Sequence, residues 1–163
     1  MKVIKEIAKK IFIPEIKIEK EINKYIEYQA SSRMRKIFKL ILRKKIFLKY
    51  GNTIGINLKA KGKITFPHPH NIVIGNNVTI GKNCVIYQNV TLGKKGTFYL
   101  DDGNINDYPN IGDNVIIYAG AMIIGNVKIG NNVIVGANSV VTIDVPDNSI
   151  VGGIPAKILK KRS

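Results

Sequence analysis

From Ile74 onward an aliphatic residue returns every sixth position: Ile74, Ile80, Ile86 and Leu92, then, after an interruption, Ile111, Ile117, Ile123, Ile129, Val135 and Val141. The fifth residue of each block is small or β-branched too, as at Val78, Cys84, Val90, Val115, Ala121 and Ser139, and the second is often glycine. So short a fixed period identifies a β-solenoid. Each block supplies one short strand and one turn, three blocks make a triangular coil, and coils stack at about 4.8 Å so that strands pair with the coils above and below. Aliphatic residues fill the prism. The Gly-Asn-Asn runs at Gly75–Asn77 and Gly130–Asn132 suit turns that need positive φ. Ice-binding solenoids use the same scaffold, so the repeat alone names no chemistry.

Two irregularities interrupt the register. Ile54, Ala60, Phe66 and Ile72 keep a spacing of six in another phase, and Ile74 follows two residues later, so a slip falls beside His68 and His70. Irregularity in a regular solenoid is where side chains can be aimed at a ligand. The second break separates Leu92 from Ile111 by nineteen residues, thirteen more than one block. Its polar, glycine-containing sequence, 94–110, predicts a loop extruded from the prism, and long loops on rigid scaffolds usually carry function.

Residues 1–50 carry a helical period instead: Ile4, Ile7 and Ile11, then Ile22, Tyr25 and Ile26, then Ile37, Phe38, Ile41 and Leu42. The last of these segments is strongly basic, with no acid from Ser31 to Tyr50. It is expected to cap the open end of the solenoid, with trimer contact or attraction to an anionic membrane surface as the other readings. The expected organisation is thus a basic amphipathic helical segment (1–50), a β-helix domain (51–150) with the loop 94–110, and a C-terminal tail (151–163).

A formal charge of +15 invites a nucleic-acid reading. The distribution argues against it: residues 1–50 hold fifteen Lys and Arg against five acids, while residues 51–163 hold eleven against six. Cys84 is the single cysteine, so no intrachain disulfide framework exists. No stretch approaches the roughly 20 apolar residues of a membrane span, and the N-terminus lacks the apolar core of a secretory signal. A reducing cytoplasm is the expected location. With only His68 and His70 in the chain, three separated histidine ligands for a metal are not available, and no metal is expected.

His68 followed by Ile72-Val73-Ile74-Gly75, then Gln88-Asn89-Val90-Thr91-Leu92-Gly93, and the ending Val145-Pro146 with Gly153-Ile154-Pro155-Ala156-Lys157 resemble the serine acetyltransferase branch of the hexapeptide-repeat acyltransferases. The resemblance implies an all-β, left-handed parallel β-helix, a homotrimer, acetyl-CoA bound in a groove between neighbouring solenoids, and His68 as base. Acetyl transfer from a thioester to a hydroxyl requires a base near neutrality, and histidine, with an unperturbed pKa of roughly 6.5, supplies one. His70, Gln88, Asn89 and Tyr108 are the candidate acceptor-side residues. Small residues that leave room for pantetheine are matched by Ala119, Gly120, Ala121, Gly136 and Ala137, and Lys157 and Lys160 are candidates for the CoA phosphates.

Departures from the family pattern bear on the acceptor. Pro67 stands where the branch carries a substrate-holding aspartate, Thr53 where it carries the aspartate that orients the imidazole, and Asp107-Tyr108 where it carries arginine and histidine. A zwitterionic amino acid needs charged partners, so the expected acceptor is a sugar hydroxyl of a surface polysaccharide or its precursor, with Tyr99 and Tyr108 suited to it. L-serine is the alternative acceptor, and a non-catalytic solenoid the lesser one.

Overall fold

The computed structural model describes residues 14–28, 35–96 and 107–162. The Ile4–Ile11 segment, Tyr99 and most of the expected loop lie outside the described residues. Among the described residues two helices precede the strands: α1 (Pro14–Tyr28), which opens on a proline whose missing N–H costs a first turn nothing, and α2 (Arg35–Tyr50). Gly51 ends α2 with φ +67 and donates its N–H to Phe47 O at 2.9 Å, a left-handed C-cap.

The repeat then builds a three-faced prism. Face A stacks β1 (Thr53–Ile54), β3 (Val73–Ile74), β6 (Thr91–Gly93), β9 (Met122–Ile124) and β12 (Val140–Val141). Face B stacks β2 (Lys59–Ala60), β4 (Thr79–Ile80), β7 (Asn110–Ile111) and β10 (Lys128–Ile129). Face C stacks β5 (Val85–Ile86), β8 (Ile116–Ile117), β11 (Ile134–Val135), β13 (Ser149–Gly153) and β14 (Ala156–Lys161). Every pairing is parallel except β13 with β14. The second residue of each two-residue strand points inward, so Ile54, Ile74, Leu92, Ile123 and Val141 form one dry column behind face A.

The irregularities fall where the sequence places them. A regular coil of three six-residue blocks pairs residues eighteen apart, as Val73 with Thr91, whereas Thr53 pairs with Val73 twenty residues on, so the first coil holds two extra residues. They lie in the turn that carries His68 and His70. Thr91 pairs with Met122 thirty-one residues on, and the thirteen-residue excess leaves at the A–B corner between β6 and β7.

Glycine and asparagine divide the turns differently from the expectation. Asn83, Asn114, Asn132 and Asn148 take the positive φ at the B–C corner and hydrogen-bond side chain to side chain in a ladder of 3.2, 3.1 and 3.0 Å. Gly75 and Gly130 do not have positive φ; the glycines of this column are required by space. At Gly112 a Cβ would stand 2.7 Å from the backbone of Gly130 in the next coil.

Both ends of the prism are closed. The cap at the N-terminal end is hydrogen-bonded to the first coil by α1, with the basic helix α2 packed against both α1 and β1. Asn23 reproduces a missing strand, its amide donating to Ile64 O at 2.8 Å and its Oδ1 accepting from Ile64 N–H at 3.0 Å, and Tyr25 donates its hydroxyl to Gly55 O at 3.3 Å. Ile18, Ile22 and Ile26 fill the end of the core, while α2 packs over α1 through Leu42 and Ile46. At the other end the expected tail is a strand: β14 folds back on β13, because Gly152-Gly153-Ile154-Pro155 makes a tight turn and Ala156 is buried. The boundary placed at residue 150 falls inside β13.

Candidate active site

The C–A corner collects most of the candidate residues on one edge. Asn89 N–H bonds to His70 O at 3.1 Å, Gly120 N–H to Gln88 O at 3.0 Å, and Asn138 N–H to Ala119 O at 2.9 Å, so these turns lie one above another. The edge reads His68 and His70, then Gln88 and Asn89, then Ala119 and Gly120, then Gly136 and Ala137, and ends at Gly152 of β13. Lys157 pairs with Gly152 and Lys160 with Ile150, which places Lys157 just beyond that edge and Lys160 beyond the adjoining face C, both on β14. The third and fourth coils present small residues at this edge, Ala119 and Gly120 and then Gly136 and Ala137.

Ala121 is a correction. It is wholly buried inside the prism, because the fifth position of a block points inward, and it cannot line an external groove. Tyr108 is not brought to His68 within one chain. It packs against Gly75 at the A–B corner, where a Cβ on Gly75 would overlap the tyrosine ring, whereas His68 stands at the C–A corner.

His68 is exposed, and its turn is held from within. Asn52, wholly buried, donates its amide to Pro69 O at 2.6 Å and accepts from Ile72 N–H at 2.8 Å. His70 N–H closes the turn on His68 O at 2.8 Å. Thr53 is half-buried on β1 at the start of face A. Asn52 is a residue that sequence reasoning missed, although a polar side chain two positions before an inward isoleucine was visible as a break in the apolar column.

Two further residues were missed. The ring of His68 lies 6.3 Å from that of Tyr87, and Tyr87 lies 5.2 Å from Tyr118 in the next coil, the rings tilted by 51° and 31°. Pro67, Tyr87 and Tyr118 follow one another in register, with Thr65 bridged to Val85 and Val85 paired with Ile116. The sequence signal was the thirty-one-residue spacing of the tyrosines, one coil plus the loop excess. An aromatic strip therefore continues from the histidine turn along the edge. One buried oxygen nearby, Oε1 of Gln88, has no hydrogen-bond partner.

Cys84 is wholly buried at the B–C corner, and burial pushes its thiol up, so it is no nucleophile for this edge. A thiol-specific maleimide is expected to label Cys84 only at the rate at which the solenoid opens; mass spectrometry showing rapid labelling of the folded protein would contradict this placement. Among the described residues no cluster of His, Cys, Asp or Glu could hold a metal ion, and no helix is long and apolar enough to cross a membrane.

Comparisons with known proteins agree with this architecture. Residues 108–142 match the family model "Bacterial transferase hexapeptide (six repeats)" and residues 71–96 match "Hexapeptide repeat of succinyl-transferase". The serine acetyltransferase of Staphylococcus aureus is 41% identical over 138 residues, covering 85% of this chain and 57% of its own. The crystal structure of Neisseria gonorrhoeae serine acetyltransferase superposes with a TM-score of 0.71 at 34% identity, covering 79% of this chain and 48% of that one. A serine acetyltransferase complex with CoA superposes with a TM-score of 0.70 at 32% identity, covering 89% and 55%. The chain spans about half the length of the curated relatives it matches. With its six-residue period closing into parallel-stranded coils, the chain is a left-handed β-helix of the hexapeptide-repeat acyltransferase superfamily. Within that superfamily it belongs to the serine acetyltransferase-like branch.

Proposed function

We propose that the chain is an acetyl-CoA-dependent O-acetyltransferase in which His68 removes the proton of an acceptor hydroxyl. The observation that carries this reading is the single edge joining an exposed histidine to a run of small residues and then to Lys157 and Lys160. Acetyl-CoA lies along it, the pantetheine arm over Ala119, Gly120, Gly136 and Ala137 and the phosphates toward the lysines. The hydroxyl oxygen attacks the thioester carbonyl carbon as His68 takes its proton; the tetrahedral intermediate then collapses with cleavage of the C–S bond, and His68 returns the proton to the departing sulfur, so that CoA leaves as its thiol.

A trimer belongs to the same reading. The outward column of face A is Thr53, Val73, Thr91, Met122 and Val140, and that of the parallel strands of face C is Val85, Ile116, Ile134 and Ile150, both without a charge, the lysines of β14 standing only at the far end of face C. Face B presents Lys59 and Lys128 instead. The two faces flanking the His68 corner are thus the ones suited to neighbouring copies, and a neighbour could bring its Tyr108 corner to His68. A cytoplasmic location fits the same chemistry, since acetyl-CoA is a cytoplasmic metabolite.

Two acceptors are each favoured by a specific observation. The side chains beside His68 favour an uncharged sugar of a surface polysaccharide or its precursor, because Pro67, Tyr87 and Tyr118 offer a flat apolar strip suited to a sugar ring and no charge for an ammonium or carboxylate. The relatives favour L-serine, since they are serine acetyltransferases, and the names alone support that acceptor more directly. CoA release should be followed with L-serine and with a panel of nucleotide-linked and lipid-linked sugars. On the sugar reading one of the sugars releases CoA and serine does not, and Tyr87→Leu raises the acceptor KM about fivefold, a loss of ~1 kcal/mol of ring contact, with the acetyl-CoA KM unchanged. Rapid turnover of serine that Tyr87→Leu leaves intact would establish the serine reading.

A further inference from the structure

Helix α2 is apolar on the side that faces away from the protein. Its inner side is set by Leu42 and Ile46, both buried. On the outer side Leu40, Ile41, Phe47 and Leu48 are 58%, 60%, 55% and 70% exposed. At 3.6 residues per turn, Leu40 and Phe47 lie on one flank of Lys44, and Ile41 and Leu48 on the other. A helix that met only water on this side would be polar there. The charge on this surface has one sign: Arg43 and Lys44 line it, and the segment from Ser31 to Tyr50 holds no acid. Lys45 turns inward to Glu21 at 3.0 Å, which leaves Lys44 at the centre of the outer side. Between α2 and the start of face A lies a recess of about 490 Å³ lined by Leu40, Arg43, Lys44, Phe47 and Thr53.

The charge pattern selects among occupants. A second copy brought face to face would set Lys44 against its own counterpart, with no acid on either helix to relieve the repulsion. An anionic bilayer accepts both features. Leucine, isoleucine and phenylalanine enter the boundary between headgroups and acyl chains, while lysine and arginine reach back to phosphates. The position suits catalysis as well. Thr53, on the rim of the recess, donates its N–H to Ile72 O at 2.9 Å, and Ile72 closes the His68 turn.

We propose that α2 docks the protein on an anionic membrane surface, with its outer apolar side in the headgroup–acyl boundary, Arg43 and Lys44 on lipid phosphates, and the His68 end of the prism toward the membrane. The surface argument is independent of which acceptor is used.

Sedimentation of the full chain with vesicles of phosphatidylglycerol or of phosphatidylcholine, without acetyl-CoA, tests it apart from any enzymatic reading. The protein is expected to sediment with the anionic vesicles, to be released by salt, and to stay free of the neutral ones. Arg43→Gln combined with Lys44→Gln should weaken binding about twentyfold, roughly fivefold per charge. Phe47→Ser combined with Leu48→Ser should weaken it about tenfold or more. Arg43 is half-buried and the other three positions are exposed, so an unchanged thermal midpoint certifies the fold. Failure to bind anionic vesicles would overturn the proposal, and so would binding that survives in both variants, which assigns it to another part of the chain. A fall in oligomeric mass for the Phe47→Ser, Leu48→Ser variant in light scattering would overturn it too, by making this side a contact between copies.

Discussion

His68→Ala is expected to lower kcat about 10²- to 10⁴-fold, the usual contribution of a positioned general base, while the protein keeps its thermal midpoint and its affinity for acetyl-CoA. The geometry separates these effects. The ring is exposed, with its centroid 6.3 Å from that of Tyr87, so its removal leaves no buried group without a partner. The small residues proposed to hold pantetheine lie two and three coils away, at Ala119–Gly120 and Gly136–Ala137, and their backbone bonds run between coils that do not contain the turn. CoA release in steady state, with acetyl-CoA binding by calorimetry alongside, checks both halves. Full activity in His68→Ala would remove the base assignment, and loss of acetyl-CoA binding would show that the residue holds the donor instead.

The second large effect is expected at Asn52, which acts through the turn and not on substrate. Asn52→Leu leaves Pro69 O and Ile72 N–H buried without their partners, and each orphaned group costs about 1–3 kcal/mol. The thermal midpoint should fall accordingly. A purely structural role would stop there. Because the two lost bonds clamp either side of His70 and leave the His68 turn free to shift, kcat should also fall at temperatures well below the new midpoint, with the acetyl-CoA KM unchanged. Asn52→Asp is the informative companion. Its carboxylate still accepts from Ile72 N–H but faces Pro69 O with no hydrogen to donate, so it should keep part of the stability and little of the rate. A kcat in both variants equal to that of the parent protein below the transition would show that the turn holds its shape without the amide.

Much of this architecture was legible in the sequence because a coil tolerates no ambiguity of period. Ile74 to Leu92 and Ile111 to Val141 must point inward or the prism cannot close, and the two-residue slip and thirteen-residue excess both reappear as offsets in strand pairing. What was not legible is which corner a residue occupies. Corner identity needs the count kept across both irregularities at once, so Tyr87 and Tyr118, stacked one coil apart, read as unrelated, while Tyr108 and His68 read as companions although they stand at different corners. Ala121 was misplaced for the opposite reason: its small size suggested a groove, but its position in the block fixes it inside. Asn23 gave no signal, because an amide that substitutes for an absent strand resembles any other polar residue on an amphipathic helix.

Stacked coils also make distance along the C–A edge a quantised property. Gly152 stands four coil steps from the coil of His68, roughly 19 Å at about 4.8 Å per step, and no substitution within a strand can change that interval gradually. Lengthening the chain at a corner, as between β6 and β7, leaves the interval untouched, whereas adding or deleting a coil moves it by a whole step. The molecule therefore works as a ruler with fixed graduations: the reach from His68 to the lysines of β14 is set by counting coils, and the corners are free to vary in length without disturbing it.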